Sequence, residues 1–192
     1  GNAGLQLSEL SFGSWITFGN QIDDGTSGRL LDMAYDAGIN FFDNAEIYAH
    51  GASEEVMGRL LAQRDWPRDT WCVSSKVFFG TGGQLPTQRG LHRKHVMEAC
   101  HDALKRLRVD YLDLFFCHRP DKQTPMEETV WTMHHHTHSF TFTYIQIIKT
   151  DYRRWTNSKP TSYLATNKNY FILQSFNSRY RCNILSIMGI HF

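Results

Sequence analysis

From Ile39 onward, short apolar runs alternate with stretches of helical periodicity, and this rhythm constrains the fold more than any other feature of the chain. Ile39–Phe42 reads as a short buried strand. Ser53, Glu54 and Glu55 open a helix that runs to about Arg64, since a hydroxyl followed by acids suits a helix N-terminus. Thr70–Ser75 is the next strand. Lys94–Leu107 carries Val96, Met97, Cys100, Leu104 and Leu107 at helical spacing, Tyr111–Cys117 is a further strand, and Thr124–His135 is a helix with Pro125 in its first turn. Before Ile39, the runs Leu5–Leu7 and Leu10–Phe12 read as short strands. Gly28–Asp36 reads as a helix on Leu30, Leu31, Ala34 and Tyr35 that stops at Gly38.

Strands and helices in this alternation build βα units around a parallel sheet, which places the chain in the α/β class. Four strand positions are visible. An eight-unit barrel takes roughly 250 residues, so the 192 residues here supply about half of one. The expected architecture is a partial parallel (β/α)8 barrel, its first four strands and their helices, followed by an irregular tail.

The tail announces itself by composition. Residues 1–133 hold 18 of the 19 acidic residues and 13 of the 14 glycines. After them stand one acid, Asp151, and one glycine, Gly189, in a stretch rich in Thr, Ser, Asn, Tyr and Lys without sustained periodicity. Tyr144–Ile148 and Tyr170–Leu173 have strand character but no evident partner. The expected division is therefore 1–135 and 136–192, with the tail read as a stretch foreign to the front part. The first residue is Gly1 rather than Met, so residues are expected to precede it.

Several function classes drop out. The formal net charge is +1 with no basic block, which argues against a nucleic-acid partner. No apolar stretch approaches the roughly 20 residues that span a bilayer. Cys72, Cys100, Cys117 and Cys182 are widely spaced with no CxxC pair, which argues against a zinc site or disulfide framework and fits a reducing, cytoplasmic compartment.

The chemistry lies at strand ends. Asp43 follows Ile39–Phe42, and Tyr48 sits five residues on, before the next helix. Lys76 follows Thr70–Ser75, and His118 follows Tyr111–Cys117. In a parallel barrel those C-terminal ends share the face where active sites form. The four types suit carbonyl reduction. A lysine cation lowers the pKa of a neighbouring tyrosine, normally about 10, and an aspartate holds the lysine. A histidine orients the carbonyl, and the hydride must come from a cofactor.

Beyond these positions, the segments Gly13-Ser-Trp-Ile-Thr-Phe-Gly19, Phe42-Asp-Asn-Ala-Glu-Ile-Tyr48, Ser75-Lys-Val77, Arg89 to Leu114, His118-Arg-Pro-Asp121 and Thr124-Pro-Met-Glu-Glu-Thr129 resemble the aldo-keto reductases. The resemblance is strongest to the branch containing voltage-gated potassium channel beta subunits and their bacterial and plant relatives, and it covers residues 4–135. It implies an NADP-dependent oxidoreductase that reduces a small aldehyde or ketone. It implies that Tyr48 is the general acid, tuned by Lys76 and Asp43, and that His118 orients the carbonyl. Ser14, Trp15, Gln21 and Asp43 match positions that touch the nicotinamide half of NADPH. Animal channel subunits of the branch often carry asparagine at the position of His118, so the histidine leans toward a reductase. The later strands, and the loops that grip the pyrophosphate and 2′-phosphate in the family, have no counterpart after His136. The resemblance thus implies a truncated reductase that could have lost activity. The alternative is a catalytically dead interaction or regulatory protein, such as a channel beta-subunit-like partner or a partner of a full-length homologue. Either way, homo- or hetero-oligomers with related chains are expected, as in relatives.

Other features read more plainly. Gly80-Thr-Gly-Gly83 lacks the GK[ST] ending of a phosphate loop and reads as a flexible turn. Arg89, His92, Arg93, Lys94 and His95 read as a solvated helix start. His134, His135, His136 and His138 lack the glutamate of HExxH, so no metal site is expected.

Overall fold

The computed structural model describes residues 4–138 and the strand 142–147, with side chains described for 4–135. The elements in chain order are β1 (Phe12–Gly13), α1 (Asp24–Asp36), β2 (Phe41–Asp43), α2 (Ala52–Ala62), β3 (Cys72–Val77), α3 (Arg93–Leu107), β4 (Leu112–Cys117), α4 (Met126–His138) and β5 (Phe142–Ile147). The strands form one parallel sheet in sequence order, β1-β2-β3-β4-β5. This is the α/β architecture of a partial (β/α)8 barrel.

The sheet has one strand more than the four visible in the sequence. β5 pairs with β4 from Phe142 opposite Leu112 to Ile147 opposite Cys117. Most of the Tyr144–Ile148 run lies in this strand, so 142–147 are not irregular. A strand's partner is supplied by the crossover before it, and α4 runs to His138, three residues past the expected end. The Tyr170–Leu173 run lies outside the described residues.

At the other end, Leu5–Leu7 is not a strand. Asn40 holds this segment with its side chain instead: Ser8 N donates to Asn40 Oδ1 at 2.8 Å, and Asn40 Nδ2 donates to the Gln6 carbonyl at 3.1 Å. Leu7 and Leu10 stay exposed, so the apolar residues there do not pack into a core. Of Leu10–Phe12 only the last residue is in a strand, since β1 takes Phe12 and Gly13. β2 and β3 start two residues later than expected and also end later, at Asp43 and Val77, so Asp43 is the last residue of β2 and Lys76 lies inside β3.

Helix ends follow side-chain chemistry. Asp23 caps α1 by accepting from Thr26 N at 2.8 Å, which starts the helix four residues before Gly28. Its C-terminal turn passes into Gly38 at φ 84°, a left-handed position that glycine takes without strain. The core lies between sheet and helices: Phe42 and Val73 from the strands meet Leu31 of α1, Met57 of α2, Leu107 of α3 and Met133 of α4, all fully buried. At Gly58, α2 and α3 touch backbone to backbone. A Cβ there would lie 2.2 Å from the Arg106 carbonyl oxygen.

Beneath the sheet's C-terminal end, Glu54 of α2 is fully buried yet paired. It accepts from Ser75 Oγ at 2.6 Å and from Arg106 Nε at 2.7 Å, tying α2 to β3 and α3. Burial pushes its carboxyl pKa up, against the opposing pull of Arg106 and the Ser75 hydroxyl. At the opposite end, Asp113 accepts from Val73 N at 2.9 Å and from Arg68 at 2.6 Å, fixing how β3 and β4 start.

Candidate active site

The sheet brings Asp43, Lys76 and His118 together because they lie at the C-terminal ends of three adjacent parallel strands. Asp43 is paired in register with Ser74, and Lys76 with Phe116. His118 follows β4 directly, its amide donating to the Val77 carbonyl at 3.0 Å. Tyr48 enters from the β2–α2 loop. The chain reverses sharply after it: Ala49 and His50 are left-handed (φ 47° and 54°) and Gly51 is at φ 94°. Two non-glycine residues in that region store backbone strain beside the site.

Lys76 is the hub. Its Nζ donates to Asp43 Oδ2 at 2.6 Å, to the Asn44 carbonyl at 2.8 Å and to Tyr48 Oη at 3.1 Å, using all three ammonium protons. Lys76 and Asp43 are each only 6% exposed. A buried ion pair of this kind survives only when its remaining valences are satisfied, and Ser74 Oγ supplies one by donating to Asp43 Oδ1 at 2.7 Å. The Lys76 ammonium also lies 4.8 Å from the Tyr48 ring centroid.

The aromatic rings enclose this hub. Tyr48 and His118 meet edge to face at 6.0 Å, Phe79 meets His118 the same way at 5.4 Å, and Trp15 lies against Tyr48 at 6.1 Å with the rings 29° apart. Trp15 is 63% exposed, so much of the indole is open to solvent. His118 Nδ1 is buried with no hydrogen-bond partner among the described residues. Such a group is poised to meet an incoming polar atom.

The electrostatics differ from the expectation for Tyr48. Lys76 pulls its pKa down as the spacing suggests, but burial pushes it up more strongly and Asp43 adds to that push. The net direction is upward, because a phenolate loses more hydration here than one shared cation returns. The hydroxyl therefore holds its proton at neutral pH. Burial, then the Lys76 and Arg119 cations, hold the His118 imidazole down to about 4, against the pull of Asp43 and Glu46, so it is neutral near pH 7.

The remaining candidates are less concentrated. Ser14 is fully buried, and both its amide (3.3 Å) and its hydroxyl (3.0 Å) donate to the Asp43 carbonyl, which braces the end of β2. Gln21 is exposed in the turn after β1, with its amide donating to the Thr17 carbonyl at 3.1 Å. His135 Nδ1 meets the Arg93 guanidinium at 2.8 Å, and the His134 ring packs on Trp131. The side chains of His136 and His138 lie outside the described residues. Among the described residues no three His, Cys, Asp or Glu side chains could hold a metal ion together. No helix among them is long and apolar enough to cross a membrane. The thiols of Cys100 and Cys117 are pushed up to about 12 by burial and stay protonated.

Three contributors were given no role by the sequence. Ser74 and the Asn44 carbonyl complete the Asp43–Lys76 pair. Glu46, 2% exposed, spans from this loop to the next, with Oε1 accepting from Phe78 N at 2.7 Å and Gly80 N at 2.8 Å. A single buried carboxylate in a loop has no periodicity to betray it.

The flat indole of Trp15, exposed beside Tyr48, and the unpartnered nitrogen of His118 fit a planar heterocycle and a carbonyl held over the strand ends. Residues 9–154 match the Aldo/keto reductase family. A "Probable voltage-gated potassium channel subunit beta" of Oryza sativa subsp. japonica is 51% identical over 133 residues, 69% of this chain and 40% of that protein. A protein of the same description from Arabidopsis thaliana is 48% identical over 135 residues, 70% of this chain and 40% of that protein. The chain thus spans about 40% of the length of these curated relatives.

Proposed function

Since the chain belongs to the aldo/keto reductase family, we propose that it reduces an aldehyde or ketone at Tyr48 with NADPH as hydride donor. The observation that carries the reading is the Asp43–Lys76–Tyr48 chain of hydrogen bonds, with neutral His118 facing the same hydroxyl-bearing ring. Reduced nicotinamide, when bound, supplies the hydride to the carbonyl carbon. The exposed face of Trp15 and the side chain of Gln21 would hold the nicotinamide half. Tyr48 holds the proton at Oη and gives it to the carbonyl oxygen. The phenolate left behind lies 3.1 Å from the Lys76 ammonium, which stabilises it at the moment the charge forms. Asp43 keeps Lys76 in place, and Ser14 keeps Asp43 in place. His118, uncharged, orients the carbonyl oxygen toward Tyr48.

The free cysteines Cys72, Cys100 and Cys117 suit a reducing cytoplasm, which the reading takes as the setting. The names of the two plant relatives, together with β5 having a strand partner on one side only among the described residues, favour a second reading: a regulatory chain that pairs with related chains. Turnover separates the two. The reductase reading expects NADPH-dependent loss of a small aldehyde in the parent and none in Tyr48→Phe, with NADPH binding spared. Equal turnover in parent and variant would sink it.

A further inference from the structure

We propose that Glu46 is a positioning residue for the Tyr48–His118 pair, acting through the Phe78–Gly80 turn and the ring of Phe79. The proposal rests on the reductase reading for its kinetic consequence alone. Glu46 lies two residues before Tyr48, and its own amide donates to the Lys76 carbonyl at 3.2 Å, so its backbone is fixed to β3. Its side chain crosses to the loop after β3. There Oε1 accepts from the amides of Phe78 and Gly80, which flank Phe79 on both sides, and the ring of His95 from α3 approaches the same oxygen at 3.4 Å.

The turn so held is a demanding one. Gly80 is at φ 68°, and a Cβ there would lie 2.2 Å from the Gln88 carbonyl oxygen. Two amides turned toward one buried acceptor fix the path of the chain through Phe79, and Phe79 is thereby set against His118. His118 needs that support. Its Nδ1 has no hydrogen-bond partner among the described residues, so ring packing against Phe79 and Tyr48 orients the imidazole. Metal-ligating and catalytic histidines are usually fixed through their second nitrogen. Here a carboxylate one residue removed does the work through a phenyl ring.

The test uses the full chain with isotope-labelled histidine, the His118 ring signals being assigned by their loss in His118→Gln. Glu46→Met removes the acceptor and keeps the bulk; Glu46→Gln keeps an acceptor oxygen for the two amides. The proposal expects the His118 ring signals to move in Glu46→Met and to stay within the parent's position in Glu46→Gln. In the kinetic arm, kcat falls by about tenfold or more in Glu46→Met while the dissociation constant for NADPH stays within about twofold, because misplacement of a reacting group is read in the chemical step. Phe79→Leu, with Glu46 intact, must move the same signals and lower kcat, and the double variant must be no worse than either single one. The Phe79→Leu arm decides the matter if Glu46→Met does not fold. Unmoved His118 signals in folded Glu46→Met or in Phe79→Leu, or equal displacement in Glu46→Gln, would overturn it. A parent without turnover fails the reductase reading and leaves the spectroscopic arm to decide this one.

Discussion

Replacing Lys76 with methionine is the perturbation whose cost the structure fixes most closely. The ammonium makes three hydrogen bonds, and all three acceptors are inside the site. Without it, Asp43 keeps the Ser74 hydroxyl on Oδ1 and loses its partner on Oδ2, at 6% exposure. Leaving one member of a buried pair uncompensated costs about 3–5 kcal/mol. The orphaned Asn44 carbonyl adds roughly 1 kcal/mol. A total of about 5 kcal/mol is a large share of the roughly 5–15 kcal/mol that holds a domain together. Asp43→Asn should cost a similar amount, since it strands the ammonium. The double variant, with no charge left to strand, should cost at least about 2 kcal/mol less than the sum. Urea unfolding followed by tryptophan fluorescence reads this directly. With a slope of about 1.5 kcal/mol per molar, the midpoint of Lys76→Met should fall by roughly 3–4 M. A fall under about 0.5 M, or strict additivity in the double variant, would refute the claim that the pair is buried and mutually dependent.

Two further outcomes follow from the same structure. The folded His118 imidazole is held near 4, below its ordinary value of 6.5, so folding excludes a proton that the unfolded chain accepts. Its contribution to stability is fully present above about pH 6.5 and is lost as pH falls toward 4; the midpoint of urea unfolding should drop over that window, and His118→Gln should flatten the drop. Gly58→Ala should destabilise by about 1–3 kcal/mol despite alanine's better helix propensity, because its Cβ meets the Arg106 carbonyl across the α2–α3 contact; thermal unfolding measures it, and an unchanged or raised Tm contradicts the close packing.

Much of this architecture is legible in local sequence, and what escapes it is non-local. Val96, Cys100 and Leu107 mark α3 because a helix repeats its buried face every turn, and Asp43, Lys76 and His118 are marked by standing where apolar runs stop. β5 is harder: Phe142–Ile147 has strand character, but only the α4 crossover says that its partner is β4. Leu5–Leu7 fails for the converse reason. Its apolar residues look like a strand, yet Asn40 meets the segment with an amide side chain and no ladder forms. Within the site, the charges were visible and their balance was not. Spacing shows that Lys76 neighbours Tyr48, whereas the burial that outweighs its effect depends on the whole enclosure. The roles of Glu46 and Ser74 escape the sequence for the same reason, since their partners lie about thirty residues away on neighbouring strands and loops.

The central claim is that the strand ends around Tyr48 form a site for NADPH and a carbonyl, and quenching of tryptophan fluorescence by NADPH tests it most directly. Trp15 lies exposed beside Tyr48, so the account predicts saturable quenching with a dissociation constant in roughly the micromolar range. Tyr48→Phe should bind equally well, and Trp15→Leu should lose most of the signal change. A folded chain that shows no saturable quenching up to about 1 mM NADPH would contradict the account and leave the Asp43–Lys76–Tyr48 arrangement without its cofactor.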